Sequence, residues 1–352
     1  MKPELEKLCT EFIANRDAVQ KAFRWDNGAV YSLCANIFCA CGRTADAERL
    51  KACRKIIEAQ TGHFSKFRKK TRSILCCMLS LVDEPENRMA LANDYYRMLK
   101  QEFRDTEYLA LCAFLLADLE EDGRMPERIA RGKELFVRMD KEHPILTNDT
   151  DSVFALALAF SDRSDDELLA DLEACYRALK TSFSGGDAQT AAQILTVAAG
   201  APEEKAQRVT DLYNALKAAD VSYGRSSELA PLAALSLADV PIPVLVEEIR
   251  EADEFLKGKK GYEGKKDEDE KKRAMHALMI VSDQYAGTSQ VNITVMTNTL
   301  DILYAQESAA RLSLAFHLVE GAAQLLGGLS KSSEKTEGET AGQPDAEKQP
   351  EK

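Results

Sequence analysis

Tyr176-Arg177-Ala178-Leu179-Lys180 closes an apolar-periodic stretch, Leu168, Leu169, Leu172, Cys175, Tyr176 and Leu179, whose three-and-four spacing reads as one face of a helix. Near-copies stand at Tyr96-Arg97-Met98-Leu99-Lys100 and Tyr213-Asn214-Ala215-Leu216-Lys217, with looser ones at 136–141 and 255–257. Tyr and Leu three apart share a helical face, and the Lys suits the negative pole at a helix end. Short apolar stretches alternate with these charged ones, at 31–41, 73–82, 108–118, 152–160, 191–199, 229–238 and 274–282. Each ends at a Gly or Asp: Gly42, Asp83, Asp118, Asp162, Gly200, Asp239 and Asp283. These anchors recur about every 40 residues, the length of a helical hairpin and its turns.

A hairpin cannot bury its apolar face alone, so seven of them must stack. The expectation is an all-α chain without sheet, its hairpins forming an α-solenoid or, as the alternative, a closed α/α ring. The short helices form the inner layer and the long ones cover it. Ser164 and Glu167 have capping-box spacing, Asp187 and Thr150 are candidate caps, and Gly200-Ala201-Pro202 and Pro241-Ile242-Pro243 end helices. The stretch 291–299 also reads as helix. Residues 257–272 read as a charged loop, and 330–352, without a large apolar side chain, as a disordered polar tail beyond a single domain over 1–329.

The chain has 352 residues and a formal net charge of −12. That charge is uneven: residues 1–100 carry 18 basic and 12 acidic side chains, and 43–72 carry ten against three. The overall acidity disfavours nucleic acid, although the basic segment 43–72 keeps an anion site open. Its centre, Gly62-His63-Phe64-Ser65-Lys66-Phe67-Arg68-Lys69-Lys70-Thr71-Arg72, interleaves aromatic and basic groups. The candidate ligand-binding residues are therefore His63, Phe64, Lys66, Arg68, Lys69, Lys70 and Arg72, together with Tyr223. The structural alternative packs Phe64 and Phe67 into the hairpin and leaves the cations in water.

No phosphate loop, dinucleotide fingerprint, EF-hand or zinc-protease motif is present. The Asp-rich strings 162–166 and 267–269 read as a turn with its cap and as part of the charged loop, not as magnesium sites. Nine Cys lack a Cys-x-x-Cys pair and lie in helices where small residues interchange, so they read as core packing in a reducing cytoplasm. No secretion signal or membrane span is visible. Catalytic residues, metals and cofactors are assigned to none.

Six segments carry a resemblance: Phe23-Arg24-Trp25, Gly62 to Arg68, Met78-Leu79-Ser80-Leu81, Glu142-His143-Pro144-Ile145-Leu146-Thr147, Val221-Ser222-Tyr223-Gly224 and Val281-Ser282-Asp283. In this order they resemble a bacterial family catalogued as a domain of unknown function, family 4003, over roughly residues 4–310. The resemblance implies an all-helical cytoplasmic bacterial protein and brings no activity, ligand or catalytic residue. The chain departs from that family where the charged stretch 257–272 replaces an aromatic, Gly-rich one. The functional expectation is a scaffold that binds a protein, peptide or small ligand without catalysis. The alternatives are a ring enzyme with a carboxylate-lined centre, using Tyr223 or Tyr285, and anion or nucleic-acid binding through 43–72.

Overall fold

The computed structural model describes residues 1–24, 30–119, 123–144, 147–149, 151–224, 229–264 and 267–285. Seven long helices, α1 (Pro3–Ala22), α3 (Ala47–Gln60), α5 (Pro85–Glu102), α7 (Met125–Glu142), α9 (Asp165–Leu179), α11 (Pro202–Ala218) and α13 (Ile242–Lys257), alternate with seven others. Those are α2 (Val30–Ala40), α4 (Arg72–Leu79), α6 (Glu107–Leu119), α8 (Asp151–Leu158), α10 (Gly185–Val197), α12 (Leu229–Ser236) and α14 (Asp267–Ser282). The described residues contain no strand. The fold is all-α.

Burial separates the two sets. The long helices bury one stripe, as α5 does with Met89, Ala92, Tyr96 and Leu99. The second set is buried almost all round: every residue of α8 is buried, and every residue of α4 from Ser73 onward. A helix with no polar face must sit inside. Proline in the first turn starts α1, α5, α7, α11 and α13, where its missing N–H has no intrahelical partner to lose. Ser164 and Glu167 form the capping box of α9. In α10 the cap is Ser184, whose hydroxyl accepts from Asp187 N; Asp187 itself stands three residues inside the helix.

The outer helices pack in chain order, α1 on α3, α3 on α5, and so on to α13, which returns to α1. Inside, α14 packs on α2. The stack expected as an open solenoid is therefore closed, as in the ring alternative. Closure covers faces that an open array would leave wet: Leu5, Cys9 and Phe12 on α1, and Ala277 and Leu278 on α14, are fully buried. Polar contacts cross the seam as well. Asn36 Nδ2 donates to Asp283 Oδ1 at 3.0 Å, and Lys2 Nζ lies 2.7 Å from Glu248 Oε1.

The repeated Tyr acquires a partner. Tyr96, Phe136, Tyr176 and Tyr213 each meet, edge-on, an aromatic that follows the preceding outer helix or ends it: Phe67, Phe103, His143 and Phe183, at centroid distances of 5.0, 6.0, 5.0 and 5.5 Å. This ladder fastens one hairpin to the next. The Lys of the repeat folds back over its own Tyr, at 5.0 Å for Lys100 over Tyr96 and 5.4 Å for Lys180 over Tyr176.

The charged loop expected over 257–272 is shorter than its composition suggests. α13 runs to Lys257 and α14 begins at Asp267, because acidic side chains favour a helix N-terminus and Lys271 pairs with Asp267 one turn back. The described residues belong to a compact unit spanning Met1–Leu303. Thr150, the helical reading of 291–299 and the tail 330–352 lie outside the described residues.

Candidate functional site

Residues 61–71 join α3 to α4 at the end of the ring where outer helices finish and inner helices start. The connection is clamped at both sides. Ser65 N donates to Gly62 O at 3.0 Å, closing a turn, and the Ser65 hydroxyl accepts from Phe67 N. Phe67 is fully buried against Tyr96. Arg68 turns inward, donating to the Glu58 and Thr61 carbonyls and the Thr61 hydroxyl, which satisfies the orphan carbonyls at the end of α3. Between these fixed points Phe64 stands 90% exposed. The two phenylalanines thus part company: one packs, the other faces solvent.

The basic segment disperses. Arg49 donates to the Ser80 and Val82 carbonyls beyond α4, Lys51 pairs with Glu48, Arg54 with Glu58, and Lys70 lies 4.0 Å from Glu107. Arg72 is half-buried at the start of α4. His63 and Lys69 are exposed and Lys66 half-exposed beside Phe64. Of the residues singled out in the sequence, His63, Phe64, Lys66, Lys69 and Lys70 share this tip, whereas Arg68 caps the end of α3 and Arg72 is the first residue of α4. Tyr223 is buried in the connection between α11 and α12, away from the tip.

The anchor carboxylates do not converge. Asp83, Asp162 and Asp239 are exposed turn residues. Asp283 differs, since burial holds its carboxyl well above the usual carboxylate range, opposed by the Asn36 hydrogen bond. Among the described residues its Oδ2 is buried without a hydrogen-bond partner, as is Asn36 Oδ1. Three further described carboxylates are buried: Asp151, Glu248 and Asp171, the last held by Lys205 Nζ at 3.0 Å and by Arg163 at 2.8 Å. Lys205 also donates to the Leu195 and Ala198 carbonyls, so the pair is a helix cap for α10.

A family model described as "Protein of unknown function (DUF4003)" matches residues 15–309. The chain belongs to this family. No curated protein and no solved structure matches it. In this DUF4003 chain, four of the segments that carried the resemblance, beginning at Phe23, Gly62, Glu142 and Val221, have their described residues at the same end of the ring. The segments at Met78 and Val281 fall at the opposite end, where inner helices finish.

The thiols of the DUF4003 ring are packing groups. All nine except Cys41 are buried. Desolvation pushes Cys53 up to about 11 and Cys9, Cys39 and Cys175 to about 12, and raises Cys76, Cys77 and Cys112 further. A protonated buried thiol is a poor nucleophile and metal ligand. Among the described residues no three His, Cys, Asp or Glu side chains converge to hold a metal ion, and no helix is long and apolar enough to cross a membrane. His143 takes the third place in the aromatic ladder, its Nε2 2.7 Å from Glu173. His276 is buried against Phe12, its Nδ1 2.9 Å from the Tyr262 hydroxyl, and desolvation brings its pKa down to about 3.

The residue-level reading missed the partner series Phe67, Phe103, His143 and Phe183. It also missed three capping arginines, Arg49, Arg131 and Arg208, which donate to carbonyls beyond α4, α8 and α12 in alternate hairpins. Their spacing of nearly two repeats was the available signal.

Proposed function

We propose that the ring is a protein-binding module, acting without catalysis, and that the α3–α4 tip is its contact surface. The observation that carries this reading is Phe64: a phenylalanine ring kept in water forgoes about 2 kcal/mol of burial. The residues that follow its turn are pinned, Phe67 against Tyr96 and Arg68 back onto the end of α3, so the ring is presented on a preorganised frame. Scattered aliphatics such as Val137 are ordinary on a surface; a fixed exposed aromatic among cations resembles an interface anchor. The test is capture from host-cell extract with the wild-type chain, Phe64→Ala and Val137→Ala. A partner retained by Val137→Ala and lost by Phe64→Ala supports the reading, and a partner indifferent to both rejects it.

A second reading, the ring enzyme, draws on Asp283 and its unpartnered buried oxygen beside Asn36 in a closed ring. It predicts that Asp283→Asn abolishes a turnover that Phe64→Ala leaves intact. The nucleic-acid reading is weaker, because five of the ten cations of 43–72 serve a helix end or an intramolecular pair.

A further inference from the structure

We infer that the Phe64 tip docks into the acidic groove beside α13 of a second copy of this chain, giving a two-fold dimer. This rests on the reading of the tip as a protein-contact surface and names its occupant. The groove, about 790 Å³, is formed by the second half of α13, the start of α12's connection and the start of α14. Val221 and Phe255 supply apolar wall, while the six carboxylates Asp220, Glu247, Glu251, Asp253, Glu254 and Glu270 outnumber four cations, Arg250, Lys257, Arg273 and the Met1 ammonium, which lies 2.6 Å from Glu251. The tip is the complement: from Ala59 to Arg72 the sequence has five basic residues and no acidic one.

Other grooves fit less well. The one beside Arg131 holds four arginines against two carboxylates and would repel the tip. The one beside His143 is smaller, about 490 Å³, and nearly balanced in charge. The carboxylates to be engaged, Glu247 and Glu254, are more than half exposed and paired with neighbours three residues away, Arg250 and Lys257. Such exposed pairs exchange partners at little cost.

Topology supplies the symmetry. Tip and groove both adjoin connections from an outer to an inner helix, so they share one end of the ring. A two-fold axis perpendicular to the ring axis brings those ends together and sets each tip over the other copy's groove. Two identical contacts then form and the assembly closes.

Sedimentation velocity and light scattering on the full chain at low and high salt test this. A dimer that weakens as salt rises is expected, with Phe64→Ala, which removes the ring from both contacts, weakening it about 100- to 1,000-fold. Lys66→Glu/Lys69→Glu and Glu247→Lys/Glu254→Lys each should be monomeric, yet mixed in equal amounts they should form a heterodimer in which both contacts are again complementary. Circular dichroism establishes that each variant is folded. A wild-type chain monomeric to about 100 µM at low salt, a dimer indifferent to Phe64, or a mixture that stays monomeric overturns the inference. If the chain is monomeric but Phe64→Ala still loses a host protein, self-association falls and the binding module stands. If a single-stranded oligonucleotide binds at the tip without dimerisation, both fall.

Discussion

Truncating Arg131 would leave three carbonyls without a donor at once: those of Ala159, Ser161 and Arg163, where the chain leaves α8. Each part-buried acceptor so stranded is destabilising, and Arg131→Ala is expected to lower stability by about 2–4 kcal/mol in urea unfolding. Arg131→Lys should recover only part, because an ammonium cannot span positions that a planar guanidinium bridges. His276 gives a pH-dependent counterpart. Its pKa falls from 6.5 to about 3 on folding, so the unfolded chain binds the extra proton between those values. Stability from this group is complete above pH 6.5, declines as pH falls below it, and levels off near pH 3. Comparing urea unfolding at pH 7 and pH 5, His276→Gln should lose about 2 kcal/mol less than the wild type. Thiol accessibility provides a third check: a thiol-specific reagent should modify Cys41 alone in the native chain and all nine Cys after unfolding. Rapid native modification of Cys76 or Cys77 would contradict the packing role. The tip itself was half legible. The run of bases and aromatics was visible, but sequence alone could not tell Phe64 from Phe67, because a tight turn, not periodicity, decides which of them points inward.

At the scale of elements, the Tyr-x-x-Leu-Lys repeat was legible because it lies within helices, where spacing fixes direction. Its partners were not. Phe103 and His143 stand at helix C-caps, Phe67 in a 3-10 turn and Phe183 in a connection, so their distance to the next ladder aromatic varies with connection length. Residue type varies too, His143 replacing Phe in one rung. The start of α14 was hidden for a different reason: Asp267 to Lys272 looks like a solvated charge run, and it is helical because its acids precede its bases. The ladder predicts coupling between neighbouring hairpins. A double-mutant cycle on Phe183 and Tyr213 should give about 0.5–1.5 kcal/mol, whereas Phe183 paired with Tyr96, three rungs away, should be additive. Equal coupling in both pairs would mean that the aromatic contacts are incidental to stacking.

For the whole molecule, the period announced seven hairpins but not whether the seventh meets the first. Each step between hairpins is local, and closure depends on how small rotations accumulate, which no window of sequence encodes. The seam is built from pairs about 246 residues apart, among them Lys2–Glu248 and Asn36–Asp283. Phe12 distinguishes the two architectures. It is fully buried on α1 and lies 6.2 Å from the His276 ring on α14, a contact that exists only in a closed ring. Phe12→Ala should destabilise the chain by about 3–5 kcal/mol through the cavity it leaves. In the ring that loss is shared across the seam, so hydrogen exchange should rise in α1, α13 and α14 together. Helices α5 to α8, on the far side, should keep their protection longest, as separate cooperative units do. In an open array α14 would be the helix most distant from the lesion and should respond last. Exchange that spreads from α1 only through α3 and α5, leaving α14 protected, would reopen the ring.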